Sequence, residues 1–488
     1  MRCAAVLAAL VAGCASLDQP IGSHLQSGSP LVRGCAEWFR AMDERVEAAG
    51  VRDAQDTRVP GFPYLRVNRL LASLREKAAR SDAAVQALAE RMLALDAEAR
   101  RVEILNLPVE GPAGSFDADP ALRRTQECGR LLREIDLAKA EGRRGLLERA
   151  EVPDDYLLSH RILGLYALAS LPFSAGIRQY QAETLAAFRR APIAREGRVR
   201  YAPPGSRLTR AAAAAILVRS AGNPLGIPEP TPEEFTALLA AYAPSFEIDV
   251  KADYDRFGAL RWLRNDATPA VDATRAVVYG HPAWTRVRGR VLLQLVYTLW
   301  FPERPPRSDG DLLAGRLDGL TWRVTLAPDG EPLVYDSIHP CGCYHLFFPT
   351  PRAEPLPPPE ANTEWLFSPQ ALPRVADGER PLLHLESATH YLEGVSVVAG
   401  IDSVSRYEIR SYGELRSLPR PDGGRASVFG PDGLVPGTER AERLLFWPMG
   451  IRSAGAMRQW GRHATAFIGR RHFDDADLFD KRFRFDLP

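Results

Sequence analysis

Apolar residues recur at three- and four-residue steps through most of the first half of the chain. Between about Asp82 and Arg101, Val85, Leu88, Met92 and Leu95 form one stripe that Val102 continues, the spacing of an amphipathic helix. Trp38, Met42 and Val46 repeat the pattern from Cys35 to Gly50, and glycine is a natural C-terminal stop. The same periodicity predicts helices over about 121–149, 155–169 and 178–190. An alanine run, Ala211–Ala215, opens another that ends at Gly222-Asn223-Pro224. Thr231-Pro232-Glu233-Glu234 has capping-box spacing with proline in the first turn, and the helix it starts is stopped by Pro244.

Beyond Pro244 the period changes. Residues 290–301 (RVLLQLVYTLWF) are continuously aliphatic and aromatic, which at this length fits a buried strand. Trp322, Val324 and Leu326 alternate with Thr321, Arg323 and Thr325, Pro328-Asp329-Gly330 signals a turn, and 333–338 is strand-like again. Further strands are expected at 382–386, 395–398, 407–412 and 444–447, a long Gly/Pro/Asp-rich loop at 419–437, and a helix around 456–467. The pattern defines an α+β protein, with an N-terminal helical domain (31–244) followed by a strand-rich α+β domain (245–488).

The first residues, MRCAAVLAALVAGC, place one arginine before an apolar run, Cys3–Ala12. That run is far shorter than the ~20 residues that span a bilayer as a helix. Val11-Ala12-Gly13-Cys14 resembles the bacterial lipobox, in which small residues precede a lipidated cysteine. The resemblance covers only this end of the chain. It implies that 1–13 is a lipoprotein signal peptide and that Cys14 carries the lipid. Since Ala15 rather than aspartate follows, it also implies the periplasmic face of the outer membrane. Residues 14–30 are polar and aperiodic, as expected of a tether.

At 488 residues, 45% hydrophobic and 25% charged, the chain is of ordinary globular composition and long enough for two cores. Its 62 basic and 61 acidic residues leave no field to attract nucleic acid; the partner expected is the membrane, through the anchor. Only four of the basic residues are lysines: Lys77, Lys139, Lys251 and Lys481.

The densest chemistry lies in YDSIHPCGCYHLFFP (335–349), with His339, Cys341, Cys343 and His345 at alternate positions. In a straight strand His339 and His345 would stand about 20 Å apart, so any shared site needs a bend at Pro340 or Gly342. Two thiolates and an imidazole would suit zinc or copper. Alternatively, Cys35, Cys128, Cys341 and Cys343 are an even set, which in an oxidising compartment suggests disulfides. His384 and Glu386 have the His-x-carboxylate spacing of iron triads, with His390, His463 or His472 as a distant third ligand. Asp253 and Asp255 are candidate paired carboxylates, and Trp284, Tyr297, Trp300, Trp322 and Tyr344 candidate groove aromatics. HExxH, GxxxxGK[ST], GxSxG, SxxK and CxxCH are all absent from the sequence. The expectation is a lipid-anchored binding or scaffolding protein held by disulfides; the alternative is a metal-dependent periplasmic enzyme using residues 339–345.

Overall fold

Side-chain caps set several helix starts in this computed structural model. It describes His24 and residues 27–108, 118–190, 197–206, 208–264, 266–359, 363–400 and 405–487. The lipobox and Cys14 lie outside the described residues. The helices are α1 (Pro30–Ala49), α2 (Arg69–Ser73), α3 (Arg75–Ala78), α4 (Asp82–Asn106), α5 (Ala118–Leu137), α6 (Ala140–Arg149), α7 (Leu158–Leu163), α8 (Tyr166–Arg189), α9 (Arg210–Ser220), α10 (Pro232–Tyr242) and α11 (Arg443–Phe446). Ser81 accepts from the Ala84 N–H to start α4, Thr209 does the same for α9, and the Thr231/Glu234 capping box opens α10.

Strands β1 (Thr57–Val59) and β2 (Phe62–Val67) form a hairpin inside the helical half. The remaining strands are β3 (Arg198–Ala202), β4 (Ser245–Asp249), β5 (Ala259–Arg261), β6 (Ala270–Asp272), β7 (Val277–Val287), β8 (Arg290–Arg304), β9 (Gly315–Leu326), β10 (Pro332–Ile338), β11 (Leu346–Pro349), β12 (Ala353–Pro355), β13 (Arg380–Leu385), β14 (Leu392–Val398), β15 (Ser405–Arg406), β16 (Glu408–Ser411), β17 (Leu418–Pro419), β18 (Arg425–Ala426) and β19 (Phe483–Phe485). One sheet has the order β11-β10-β9-β8-β7-β16, antiparallel except for the β7–β16 edge. A second has the order β14-β13-β4-β3-β15, with β4–β13 and β3–β15 parallel.

The largest core joins these sheets, with Phe246, Ile248 and Leu383 meeting Tyr297, Leu299 and Trp322. Ala213, Leu217 and Leu238 of α9 and α10 belong to the same cluster. Position 244 is therefore a change of texture rather than a seam in the packing. A second core fills the helical half around Phe39, Tyr64, Leu88, Met92 and Leu132, closed by the Cys35–Cys128 disulfide. It also takes in Val291 and Ala476 from the strand-rich half. Buried polar groups tie the halves further: Arg416 makes two bonds to Asp53, at 3.0 and 2.8 Å, and Gln459 a third at 2.7 Å.

β8 is the buried strand its apolar run predicts, with every residue from Val291 to Phe301 covered. β9 alternates as expected, yet its polar face is buried as well. The C-terminal segment lies across it, and its polar residues are paired: Thr298 with Thr321 at 3.0 Å, Gln294 with Thr325 at 2.9 Å, and Arg323 with Asp336.

Several local expectations are corrected. The helix expected over 121–149 breaks at residues 138–139 into α5 and α6, and the break expected between 169 and 178 falls instead at 164–165, between α7 and α8, with α8 running through Pro172. Residues 444–447 are helical, and 456–467 form no helix. There the backbone serves other segments, Arg458 N donating to Pro340 O and Gln459 N to Gly433 O. His24, within the stretch expected to be a tether, is buried and bonded to Asp136 through its backbone N and Nδ1.

The disulfide spans 93 residues of sequence. A loop of that length predicts that Cys35→Ala/Cys128→Ala loses about 2–5 kcal/mol, measured as a lower denaturation midpoint; an unchanged midpoint would contradict the assignment.

Candidate functional site: an apolar cavity over a buried carboxylate network

The 339–345 segment bends where its composition allows. Gly342 N donates to His339 O at 2.8 Å and His339 N to Cys343 O at 3.0 Å, closing a tight turn. Gly342 has φ +88°, and a Cβ there would stand 2.7 Å from Ala464 O, so only glycine fits. The bend brings the two sulfurs near one another, and the Cys343 N–H donates to Cys341 Sγ at 3.4 Å. Both cysteines are free thiols, so of the four disulfide candidates only Cys35 and Cys128 are bonded. The hydrogen bond with Cys341, reinforced by burial, pushes the Cys343 thiol well above its ordinary value.

The imidazoles do not join the sulfurs. His339 Nδ1 faces Asp318 Oδ1 at 3.1 Å, whereas His345 Nε2 faces Asp336 Oδ2 at 2.9 Å, a carboxylate already clamped by Arg323. Burial pushes His345 down to about 3. His384 bridges Glu247 and Ser396 at 3.2 and 2.9 Å, and Glu386 accepts from Thr389. His463 lies against Pro340 O, and His472 sits among Asp154, Asp155 and Asp475. Among the described residues no three His, Cys, Asp or Glu side chains are placed to hold a metal ion. The expected zinc or copper set, Cys341, Cys343, His345 and His339 with His384 and Glu386, is thus divided: the three histidines face Asp336, Asp318 and Glu247, Glu386 accepts from Thr389, and the two cysteines face one another.

Asp318, on β9, is the centre of this region. Fully buried, it receives His339 on one oxygen and His390 Nδ1 at 2.9 Å on the other, with Arg440 Nη2 at 3.5 Å. Burial alone would raise its carboxyl, but the His339 and Arg440 charges and the two imidazole bonds hold it well below the usual range. His390 lies between carboxylates, its Nε2 3.6 Å from Asp255, and stacks on Phe301 at 3.8 Å. Burial opposes its charge, but bonds to Asp255 and Asp318 raise its proton affinity. Asp255, one of the candidate paired carboxylates, also accepts from Lys251 N, Ser387 Oγ and Ala388 N, so it is structural. Asp253 begins a short 3₁₀ turn, Asp253–Asp255.

Above this network lies a cavity of about 560 Å³. Phe173 and Ile177 of α8, Leu445 and Phe446 of α11, and Phe467 supply its apolar wall. Its polar lining includes Tyr180, Gln181, Cys343, Tyr344, Tyr391 and Glu442, with His345 and Glu364 beside them. The Tyr344 and Tyr391 rings meet at 4.6 Å, and Arg304 donates to Tyr391 Oη at 3.2 Å. Arg304 Nε and Nη1 are buried with no hydrogen-bond partner among the described residues. Glu364 is occupied by the Phe467 N–H and Arg471. Glu442 is buried, and desolvation raises its carboxyl to about 7 despite Arg440 and Arg304. Gly455 makes room for it: with φ +86°, it would drive a Cβ to 2.0 Å from Glu442 Oε1.

Of the candidate groove aromatics only Tyr344 reaches this cavity. Trp300, Trp322 and Tyr297 are core, and Trp284 donates to Pro228 O. Sequence reasoning missed Tyr180, Tyr391 and Glu442, which come from three distant segments and share no motif. A second hollow of about 440 Å³ is lined by Arg210, Asp329, Glu331, Arg352 and Arg374. Its charges are already paired, Arg352 with Asp329 at 2.7 Å and Arg210 with Glu331 at 3.0 Å, which leaves little for a ligand. No family model, curated protein or solved structure matches the chain.

The raised Glu442 carboxyl fixes a sign. A proton held more tightly in the folded chain stabilises it at low pH, and that contribution is lost as pH rises from 4.5 through about 7. Glu442→Gln should therefore gain stability relative to the parent across that window and hold the gain above it. Chemical denaturation of both proteins at pH 5 and pH 8 measures this; a pH-independent difference would refute it.

Proposed function

We propose that the protein is a lipid-anchored envelope protein, facing the periplasm from the outer membrane, that binds one amphiphile with an apolar chain in the 560 Å³ cavity. The cavity supports this reading most strongly: its volume falls within the ~300–1,000 Å³ usual for ligand sites, and it pairs an apolar wall with few polar groups. The chain would lie along Phe173, Ile177 and Phe446, and the head beside Tyr344, Tyr391 and Glu442. With no lysine or arginine in the lining and Glu442 half-protonated near neutrality, the site favours a neutral, hydroxyl- or amine-bearing head over an anionic one. Binding rather than scaffolding follows from the polar groups placed at the cavity's inner end. For the zinc or copper enzyme reading no converging ligand set stands among the described residues.

Displacement of a fluorescent polyene lipid probe tests the ligand. Ile177→Trp, which fills the cavity, should weaken binding at least about tenfold, while Val218→Trp, on an exposed face elsewhere, should leave it unchanged. Equal affinity in both variants would place the probe outside the cavity. The anchor has its own test. Metabolic labelling with a radioactive fatty acid should mark the parent and not Cys14→Ser; equal labelling of the two would remove Cys14 as the attachment point.

A further inference from the structure

Twelve large hydrophobic side chains are exposed among the described residues, and nine of them come from two short segments. Leu158, Ile162, Leu163, Leu165, Leu168 and Leu171 belong to α7, the link after it and the first turns of α8; Leu444, Leu445 and Trp447 belong to α11 and the turn after it. Six of these nine are more than 60% exposed. The two segments pack together: the Phe173 and Phe446 rings meet at 5.1 Å, His160 and Trp447 at 5.9 Å, and Arg161 Nε donates to Met449 O at 2.9 Å. They therefore make one surface. Scattered exposed leucines need no explanation, whereas a contiguous patch marks an interaction site.

The patch has a chemistry of its own. From Ile162 to Ile177 the sequence (ILGLYALASLPFSAGI) contains no charged residue. Exposed Arg178 and Arg443 stand beside it in sequence and exposed Arg452 follows Trp447, while the exposed acid before it, Asp154, is paired with Arg470. An apolar face with basic neighbours and a tryptophan at its edge complements an anionic phospholipid surface, which offers hydrocarbon below a layer of negative head groups. The helices cannot cross a bilayer, since no helix among the described residues is long and apolar enough. A face of this kind lies in the interface. The patch is also continuous with the cavity, because exposed Leu445 serves both and the half-buried Phe173 and Phe446, which line the cavity, lie in the same two segments.

We propose that α7, the first half of α8 and α11 form a second membrane contact, independent of Cys14, which seats in the outer acyl layer of an anionic phospholipid surface with the cavity mouth against it. The surface stands without the ligand proposed above. The added consequence, that an amphiphile passes from bilayer to cavity without crossing water, rests on that reading.

The full chain carrying Cys14→Ser, and so lacking the anchor, is mixed with vesicles of phosphatidylglycerol and phosphatidylethanolamine and separated by flotation. It should float with the vesicles. Leu163→Asp/Leu168→Asp/Leu444→Asp, at three exposed sites outside the cavity lining, should lower the partition coefficient at least about tenfold, with the melting midpoint and probe affinity unchanged. Arg443→Glu/Arg452→Glu should weaken binding to these vesicles more than to phosphatidylcholine alone. Failure of the Cys14→Ser chain to float, or flotation indifferent to the triple substitution, would overturn the proposal. So would a vesicle-independent dimer abolished by the same substitution, which would assign the face to a second copy of the chain. None of these results touches probe binding in the cavity, so the two readings fail separately.

Discussion

A carboxylate without solvent stands at the heart of the strand-rich half, and much of the surrounding architecture answers it. An unpaired charge buried to the extent of Asp318 would be prohibitively costly. Three separate stretches therefore send polar groups to it: His339 from the end of β10, His390 from the turn between β13 and β14, and Arg440 from the C-terminal segment. Each of these contacts fixes a loop. The His339 contact holds the turn that presents Cys343 and Tyr344 to the cavity, and His390 stands one residue before Tyr391, which lines it. Glu442 lies two residues beyond Arg440. The cavity's polar end is thus the outer layer of a network whose inner layer is the buried, fully paired Asp318.

A second buried pair works the same way on the other carboxylate. Asp336 is clamped by Arg323 at 2.9 and 2.6 Å and accepts His345, while the Arg323 guanidinium stacks 3.7 Å over Phe473. The polar face of β9 therefore needs the C-terminal segment as its cover. That requirement explains why so much of the chain beyond Met449 is buried with little regular structure: its backbone groups are spent on other strands and turns. Opposite this rigid floor, the wall supplied by α8 and α11 keeps its outer side in solvent. The site combines a fixed polar end with an apolar wall continuous with the exposed face.

Legibility in the sequence followed the range of the interaction. Helices with a cap and a stripe, such as α4 and α10, could be read from a dozen neighbouring residues, as could the continuous apolar run of β8. Mixed α+β organisation followed from the change of period after Pro244. The bend at Gly342 could be anticipated because glycine next to a proline-containing turn leaves few alternatives. What sits opposite that bend could not. A histidine's partner is chosen by tertiary packing, and Asp318 and Asp336 carry no local mark separating them from surface aspartates. The helix expected at 456–467 failed for a related reason, since its apolar residues serve several surfaces at once. The break between α5 and α6, and the continuity of α8 through Pro172, were local features misjudged by pattern alone.

The central claim is that the space between α8, α11 and the Cys341-Gly342-Cys343 turn is a ligand site, with a polar end set by the Asp318 network. An experimental structure of the protein purified without detergent tests it most directly. Elongated density is expected to run along Phe173 and Ile177 and to end within hydrogen-bond distance of Glu442 or Tyr344. A cavity closed by its own side chains, or filled only by ordered water, would contradict it.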